Sequence, residues 1–399
     1  MKVLLVNKFL YPNGGSETYL FQIGQELERQ GHTVEYFGME HPDRIVGNAI
    51  EVYTSAMDFH TGKLQKLLYP FKIIYSREAR KKIGRVLDDF KPDVVHVNNF
   101  NFQLTPSILY EIKRHNIPIV YTAHDGQLVC PNHLMQQYLT GERCIECINK
   151  SPMQCTKHRC IHGSFAKSIL GTIEAYVYRM AGAYKLIDVV IAPSKFIKEK
   201  LETNNDLKGR ILVKHNFVDL QGDMEDKETE KGDYVLFFGR YSREKGVETL
   251  LKACERTEEI SYIFAGNGPL EEQVNMRNNV ENRGFLSGDQ LIQLIKKARF
   301  SIFPSECYEN CPFSVMESMV CGTPVIASDI GGVPELIEDG KNGILFESGN
   351  VDELTGKIKA LWEDRNINSK LHENCKEFKA VSLKEYTQEL CEIYKKVNS

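Results

Sequence analysis

Several features that would narrow the function of this 399-residue chain are missing from its sequence. No apolar run approaches the ~20 residues that a membrane-spanning helix needs, so we expect none. Neither sign of charge dominates, since 50 Lys and Arg stand against 54 Asp and Glu. The resulting net charge of −4 gives no general attraction for polyanions, and we therefore expect no nucleic-acid partner.

We expect no secretory leader, because Met1-Lys2 continues directly into an apolar, strand-like stretch. We expect a cytoplasmic protein, in which the eleven cysteines are thiols, metal ligands or core residues instead of disulfides. The Gly-x-Gly-x-x-Gly dinucleotide fingerprint is also absent. Gly14-Gly15 stands in its place after the first predicted strand, which argues against a nicotinamide-dependent dehydrogenase.

Strand-like and helix-like segments alternate along the chain, which predicts parallel sheets with helices on both faces, the α/β class. A polar stretch at 219–232 indicates an exposed connection, after which the alternation restarts. Strands are predicted at 3–6, 33–37, 93–97, 117–122, 187–192, 211–213, 234–238, 261–265, 300–303 and 344–346, with another starting at 324. Helices are predicted at 17–30, 246–256, 290–298, 351–363 and 383–397, with Ser194 as the N-cap of another.

The stretch 300–337 carries the strongest functional pattern: a strand, a loop, a short helix, a second strand and a Gly-rich turn. Glu309 precedes the helix and Glu317 lies more than one turn inside it. Amides at a helix start suit a phosphate, and carboxylates suit hydroxyls. A nucleotide sugar carries hydroxyls on either side of its diphosphate, so it would satisfy both. The alternative is that two glutamates eight residues apart are solvated surface charges.

Glu309 and Glu317 match the E-x7-E motif of retaining glycosyltransferases of family 4, which have the GT-B fold. The turn at 322–325 and the Gly-Gly-Val-Pro-Glu segment at 331–335 resemble that family as well, and the resemblance covers most of the chain. It implies two Rossmann-like domains, with parallel sheets facing a central cleft that holds the active site. We expect an acceptor-side domain at 1–215, a nucleotide-sugar-binding domain at 216–380, and a helix at 381–399 that crosses back to the first domain.

The resemblance also implies residue roles. Glu309 would hold the donor sugar and Glu317 the ribose. Arg240 and Lys245 match a basic pair that stabilises the departing nucleoside diphosphate. His124 matches a histidine that contacts the donor sugar. Further donor contacts are implied at Gly14, Gly15, Gly239, Gly266, Gly268, Gly284, Cys311, Pro312, Phe313 and Ser314.

Each of these matches has a plainer alternative. Gly14-Gly15 can be an ordinary tight turn, the basic pair a solvated turn, and His124-Asp125 a structural pair. Asn216 matches an interdomain element of the family, but Phe217 replaces the usual glycine, which puts the local conformation of that element in doubt.

The implied function is a hexosyltransferase-like transfer from a UDP- or GDP-sugar to a glycan or lipid-linked acceptor. The resemblance implies retention of anomeric configuration by front-side, substrate-assisted substitution, with no cofactor for catalysis. Two alternatives remain open at this point. One is an epimerase or phosphorylase on the same fold, although no acid/base pair or pyridoxal lysine motif is found. The other is a noncatalytic nucleotide- or glycan-binding subunit.

Two segments lie outside the family pattern. Between residues 63 and 85, eight basic residues interleave with apolar ones, which predicts either peripheral contact with the inner membrane face or a helix covering the sheet. Five cysteines fall within an insert at 130–162, and Cys144-x2-Cys147 has metal-ligand spacing. We predict a structural zinc site of Cys130, Cys144, Cys147 and Cys160. Cys155, His158 and His162 are competing ligands, and free thiols in a packed loop are the alternative.

Overall fold

The computed structural model describes residues 1–55, 73–100, 103–219 and 230–398. The chain divides into two compact units. Unit 1 comprises Met1–His215 together with Leu383–Ser399, and unit 2 comprises Asn216–Ser382. In these described ranges, the helices are all too short or too polar to cross a bilayer.

Unit 1 contains a six-stranded parallel sheet of the order β2-β1-β3-β4-β5-β6. Most residues of its central strands are buried on both sides, as is usual where helices cover both faces. The strand order changes direction between β1 and β3, whose carboxyl ends are therefore the expected ligand-binding edge. The strands are β1 Lys2–Val6, β2 Thr33–Phe37, β3 Val94–Val97, β4 Ile119–Thr122, β5 Val189–Ala192 and β6 Ile211–Val213.

The helices of unit 1 connect these strands and also build the insert after β4. The Ser194 side chain accepts a hydrogen bond from the Ile197 amide and caps α7, as the sequence predicted. The helices are α1 Gly15–Arg29, α2 Arg77–Phe90, α3 Ser107–Arg114, α4 Glu146–Asn149, α5 Met153–Lys157, α6 Phe165–Met180 and α7 Lys195–Leu201.

Unit 2 contains a second six-stranded parallel sheet, of the order β12-β11-β10-β7-β8-β9. Its change of direction falls between β7 and β10. The strands are β7 Val235–Phe238, β8 Tyr262–Ala265, β9 Val280–Asn282, β10 Phe300–Phe303, β11 Val325–Ser328 and β12 Gly343–Phe346. The helices are α8 Val247–Glu255, α9 Glu271–Asn275, α10 Gly288–Lys297, α11 Phe313–Val320, α12 Val351–Glu363 and α13 Arg365–Lys376.

The last helix, α14 Leu383–Asn398, packs in unit 1 through buried polar contacts as well as apolar ones. Its Tyr386 hydroxyl lies 3.0 Å from that of Tyr19 on α1. Its Tyr394 hydroxyl lies 2.6 Å from Nδ1 of His96, whose Nε2 lies 2.8 Å from the Thr122 hydroxyl. Because these groups are completely buried, each needs its partner, and together they fix the position of the helix on the sheet.

The predicted α/β architecture is confirmed, with two six-stranded parallel sheets. The strands at 33–37, 211–213 and 300–303 and the helix at 351–363 have the predicted bounds, and most of the others differ by one to three residues. The sequence analysis missed the strand β9 and the helices α3, α4, α5, α6 and α13.

The basic segment at 63–85 is described only in part, because residues 63–72 lie outside the described ranges. The remaining basic residues all belong to α2, whose apolar face, including Ile83 and Leu87, is buried. Arg80 pairs with Glu111 at 2.8 Å, and Lys82 pairs with Glu78 at 2.7 Å. For this described half, the contacts favour a helix that covers the sheet over a membrane-facing patch.

Candidate functional site

The carboxyl edge of the unit 2 sheet holds an ion pair between Lys245 and Glu309. Lys245 closes a 3-10 turn after β7, Glu309 lies in the loop after β10, and Nζ is 2.5 Å from Oε1. Burial disfavours the ammonium, but the Glu309 carboxylate outweighs it and holds the pKa of Lys245 above its usual value. The pair therefore stands at the switch point of this sheet, where ligands of such folds bind.

Short-range bonds hold the Glu309 carboxylate in place, since the Ser305 hydroxyl donates to Oε1 at 2.8 Å. The Glu309 backbone carbonyl accepts a hydrogen bond from the Gly332 amide at 2.7 Å. A Cβ on Gly331, which has φ +60°, would lie 2.2 Å from the Glu309 carbonyl oxygen. Glycine is therefore required at position 331 for the backbone to support Glu309 this closely.

Gly246, which follows Lys245, likewise allows a close approach between two backbone segments. Its φ is +70°, and a Cβ there would lie 1.8 Å from the Pro304 carbonyl oxygen, so the turn after β7 packs directly on the end of β10. Gly239, Gly266, Gly268 and Gly284 line the neighbouring turns after β7, β8 and β9, and three of them have positive φ. Their backbones pack closely, because a Cβ on Gly266 would meet the Gly239 carbonyl.

Helix α11 begins directly after this loop. Pro312 is its N-cap, and Phe313 and Ser314 form the first turn, whose amides have no partner within the helix by geometry. Glu317 follows one turn later and is half-buried. Burial raises its pKa to about 7, and no donor in the described parts of the chain bonds its carboxylate.

The segment at Asn216 is ordered despite the replacement of glycine by Phe217. The Asn216 side-chain amide donates to the Cys311 carbonyl at 2.8 Å. Phe217 is completely buried, and its ring packs edge-on against Phe313 with centroids 5.7 Å apart. Phe217 therefore packs against Phe313, the first residue of α11, and helps to fix its position.

In unit 1, His124 lies at the end of β4 with its Nε2 2.7 Å from Oδ1 of Asn98, which follows β3. The Tyr19 ring packs edge-on against the imidazole, with centroids 4.8 Å apart. Burial lowers the pKa of His124 to about 3, so the ring is neutral and Nε2–H is the donor. Burial also raises the pKa of the adjacent Asp125 to about 6.

Gly14 and Gly15 form the entry to α1, and a buried carboxylate lies just beneath them. Glu17 is 2% exposed, and its Oε1 accepts hydrogen bonds from the Asn7 amide at 2.9 Å and the Ser16 hydroxyl at 3.0 Å. The φ of Gly14 is −177°, so the backbone at this position does not itself demand glycine. A side chain at Gly14 would still lie against the Glu17 carboxylate.

The five cysteines of the insert line one small cavity. His158 and His162 are not among its lining residues: His158 lies 3.2 Å from the Glu146 carboxylate, and the His162 ring packs against Tyr138. As the side chains stand, no group of three or more His, Cys, Asp or Glu has metal-binding geometry in the ranges that the structure describes.

The structure thus brings together Lys245, Glu309 and the start of α11 within unit 2. Arg240 follows β7 and is exposed, and among the described residues its side chain has no ion-pair partner. The sequence analysis missed Ser305, which orients Glu309, and Asn98, which orients His124. A signal for Asn98 existed, since it is a polar residue directly at the carboxyl end of a strand beside the switch point.

Two family models match the chain in succession. The model described as Glycosyltransferase Family 4 matches residues 13–221, which is more than half of the chain. The model described as Glycosyl transferases group 1 matches residues 223–378.

Curated relatives agree with this assignment. An uncharacterised glycosyltransferase of Methanocaldococcus jannaschii is 31% identical over 265 residues, covering 64% of this chain and 71% of that protein. The O-antigen chain mannosyltransferase C of Escherichia coli is 24% identical over 390 residues, covering 94% of this chain and 92% of that protein.

Among solved structures, sucrose-phosphate synthase from Thermosynechococcus elongatus matches with a TM-score of 0.72 at 16% identity, covering 99% of this chain and 98% of that one. Anabaena HepE, solved with UDP and glucose, matches with a TM-score of 0.67 at 19% identity, covering 99% of both chains. At such low identity, these likenesses show the GT-B fold alone. The fold and the two family models together show that this chain belongs to glycosyltransferase family 4.

Proposed function

We propose that the protein transfers a hexose from a UDP- or GDP-sugar to a glycan or lipid-linked acceptor, with retention of anomeric configuration and without a divalent cation. The observation that carries this proposal is the Lys245–Glu309 pair at the switch point of the unit 2 sheet. Anabaena HepE was solved with UDP and glucose, which supports a nucleotide-sugar donor for a chain of this fold. The ion pair supplies what such a donor requires: a cation for its diphosphate and a carboxylate for its sugar.

Lys245 and Arg240 are the proposed cations for the leaving group. Negative charge builds up on the diphosphate as the glycosidic bond breaks, and a preorganised cation stabilises that charge more in the transition state than in the ground state. Lys245 is held by Glu309 before the donor arrives, so little reorganisation of its side chain is needed. The diphosphate then shares the ammonium, which leaves lone pairs of Glu309 for sugar hydroxyls.

Glu317 is proposed to accept hydrogen bonds from the ribose hydroxyls. Its carboxylate is half-buried, its pKa is raised to about 7 by burial, and no donor in the described chain bonds it. Partial burial strips the carboxylate of part of its hydration, and hydroxyl donors from a ligand would replace the lost hydrogen bonds. The first-turn amides of α11, at Phe313 and Ser314, are placed between Glu309 and Glu317 in sequence and would take the diphosphate.

His124 is proposed to position the donor sugar as a neutral imidazole, and Gly14-Gly15 to let the α1 amides approach the diphosphate. In a front-side substitution, the departing diphosphate oxygen accepts the proton of the acceptor hydroxyl as the new glycosidic bond forms. No enzyme nucleophile is needed, and a histidine with a pKa of about 3 is poorly suited to take a proton near neutral pH.

The experiment that tests this proposal begins with a thermal-shift screen of nucleoside diphosphates and nucleotide sugars. Isothermal titration of the stabilising diphosphate is then repeated on Glu309→Gln and Glu317→Gln. We expect Glu317→Gln to weaken binding of the free diphosphate, because the ribose contact exists without a sugar. Glu309→Gln should keep that affinity and lose sugar transfer, with the wild-type product retaining the anomeric configuration by NMR.

The opposite pattern, with affinity lost in Glu309→Gln and kept in Glu317→Gln, would assign the ribose to Glu309 and the donor sugar to Glu317. Binding without any transfer to a panel of glycan and polyprenyl acceptors would favour the noncatalytic subunit. Interconversion of the donor sugar in the absence of acceptor would favour the epimerase.

A lipid-linked acceptor is favoured by one surface of unit 1. Phe165, Ile169, Ile173 and Met180 of α6 are 55%, 36%, 46% and 80% exposed. At 3.6 residues per turn they lie along one side of the helix, whereas the exposed Lys167 lies on the other side, and Arg159 just before the helix is exposed as well. An exposed apolar stripe along one side of a helix is the pattern of a helix that rests on a membrane surface.

We therefore propose that α6 makes the peripheral membrane contact, in place of the described part of the basic segment at 73–85. Sedimentation with vesicles of anionic and of neutral lipids tests this. Wild type should bind the anionic vesicles, and Ile173→Ser/Met180→Ser should bind several-fold less. The matched control is Met276→Ser in unit 2, whose side chain is 71% exposed. Equal binding by all three proteins would refute the contact.

A further inference from the structure

Five thiols converge on one place in the insert that follows β4. Cys130, Cys144, Cys147, Cys155 and Cys160 all line a cavity of about 10 Å³, together with Asn132, Gln136, Ile145 and Ile148. A cavity of this size accommodates about one water molecule or a single ion. Residues up to thirty positions apart in sequence thus surround a space that fits one water molecule or one ion.

The thiols are close to one another and to backbone donors. The Cys130 thiol donates to Oδ1 of Asn132 at 3.0 Å, and the Cys147 thiol lies 3.9 Å from the Pro152 carbonyl oxygen. The Glu146 amide lies 3.5 Å from the Cys144 sulfur. Backbone N–H groups aimed at sulfur stabilise a thiolate, and the thiolate is the form that binds metal.

The insert has little else to hold it together. Its helices α4 and α5 have four and five residues, and its strand pairing is the single bridge between Gln136 and Arg143. Several of its large apolar side chains are exposed instead of packed, namely Leu134, Tyr138, Leu139 and Met153. The buried centre of this segment consists of Cys147, Cys155 and Cys160 with Ile161 packed against them. A segment built in this way is typical of a metal-stabilised module.

We propose that this cavity binds one structural zinc ion through Cys130, Cys144, Cys147 and Cys160. Cys144 and Cys147 form the knuckle, while Cys130 and Cys160 join the two ends of the insert. Zinc is favoured over an iron–sulfur cluster because the space fits one ion and four thiolates satisfy its tetrahedral shell. His158 and His162 are excluded as ligands because neither lines the cavity.

Cys155 is assigned as the fifth, noncoordinating thiol. It lies in the middle of α5 and is 1% exposed, the most enclosed of the five. Binding would rotate the other four side chains toward one point, since they do not yet form a coordination sphere. The four thiols release four protons to solvent, and the product is a Zn(S-Cys)4 centre of charge −2, with no bond broken in the chain.

The proposed zinc site lies close in sequence to His124 and would therefore affect how that residue is held. Cys130 follows His124 by six residues, and the Arg179 side chain of α6 donates to the carbonyl of Val129. A zinc ion at Cys130 would therefore anchor the chain directly after His124. We expect the ion to act as a positioning element without touching substrate.

Metal analysis of full-length protein purified without added metal tests the proposal, with about one zinc per chain expected. A mercurial titration followed with a zinc indicator should release the metal as four thiols react. Cys130→Ser, Cys144→Ser, Cys147→Ser and Cys160→Ser should each lose most of the zinc, while the matched control Cys155→Ser keeps it. Loss in Cys155→Ser with retention in any one of the other four would overturn the ligand set.

A second readout keeps the test valid if a ligand variant fails to fold. Hydrogen exchange on the wild-type protein, before and after a strong chelator removes the metal, should show faster exchange over 130–162 and little change across the unit 2 strands. Bound iron, or less than half an equivalent of any metal with freely titrating thiols, would overturn the proposal. So would two disulfides detected by mass, and the transferase assignment would stand in each of these cases.

Discussion

The His124 end of the unit 1 sheet and the Lys245 end of the unit 2 sheet differ in the charge of the groups that bond there. Around His124, a neutral imidazole bonds a neutral amide, and burial lowers the pKa of the ring to about 3. Around Lys245, an ammonium meets a carboxylate at 2.5 Å. Both lie at carboxyl ends of parallel strands. The difference leads us to expect that the Lys245 end responds to the charge of a ligand, whereas the His124 imidazole supplies an uncharged hydrogen bond.

The largest expected effect comes from removing the charge at the unit 2 end. Lys245→Ala should lower turnover by roughly 10²-fold or more, since one preorganised transition-state group is lost. The matched control is Arg243→Ala, which removes an exposed cation two residues earlier in the same turn and should leave turnover within about twofold of wild type. Steady-state kinetics at saturating donor measures both, and equal losses in the two variants would show that only the overall positive charge matters.

A smaller effect is expected at the neutral end. Asn98→Ala removes the acceptor of the His124 Nε2–H, and turnover should fall by about tenfold with little change in donor affinity, because the ring loses its orientation. NMR of ¹⁵N-labelled histidine should then show a changed chemical shift of the His124 Nε2, because that nitrogen loses its hydrogen-bond acceptor. An unchanged shift together with unchanged turnover would mean that Asn98 does not position His124. Circular dichroism separates this result from unfolding.

The smallest expected effect is a pH dependence of nucleotide binding, which we expect to come from Glu317 at the unit 2 end. The pKa of Glu317 is about 7 in the free protein, and ribose hydroxyl donors favour its ionised form. Binding should therefore lower that pKa and release a proton, so affinity for a nucleoside diphosphate rises with pH from about 5.5 to 7 and levels off above about 8. A ~3- to 10-fold change is expected in the wild type.

The phosphate of the ligand also titrates near pH 6, so the wild type alone is not decisive. Glu317→Gln keeps the titration of the phosphate and lacks that of the carboxyl. The ratio of the two dissociation constants, measured by isothermal titration at several pH values, isolates Glu317. A ratio that stays constant with pH would contradict its contact with the ribose. His124, with a pKa of about 3, should contribute nothing over this range.

Hydrophobic periodicity predicted the strands because their apolar residues are contiguous and buried on both faces. It missed α13 because polar residues do part of the packing there. The Asn368 side chain of that helix bonds the Arg299 carbonyl, and His372 bonds the same carbonyl at 2.9 Å. It missed α6 for the opposite reason, since apolar residues lie on its exposed side as well as its buried one.

The candidate site was predictable where short motifs carry it and not where distant residues complete it. The spacing of Glu309 and Glu317 is visible in the sequence, as is the basic pair. The bond between Lys245 and Glu309 joins residues 64 positions apart, and no local pattern encodes it. The same holds for Gly331, whose role depends on the Glu309 carbonyl that lies against it.

The return of α14 to unit 1 has a consequence for how the chain folds during synthesis. Tyr386 and Tyr394, which complete the core around Tyr19 and His96, are made only after the whole of unit 2. At roughly 5–20 residues per second, the ribosome needs about 10–30 s to produce that intervening stretch. During this interval the α14-binding face of unit 1, including the buried ring of His96, is left open to water and to chaperones. The unit that begins the chain is therefore the last to be finished.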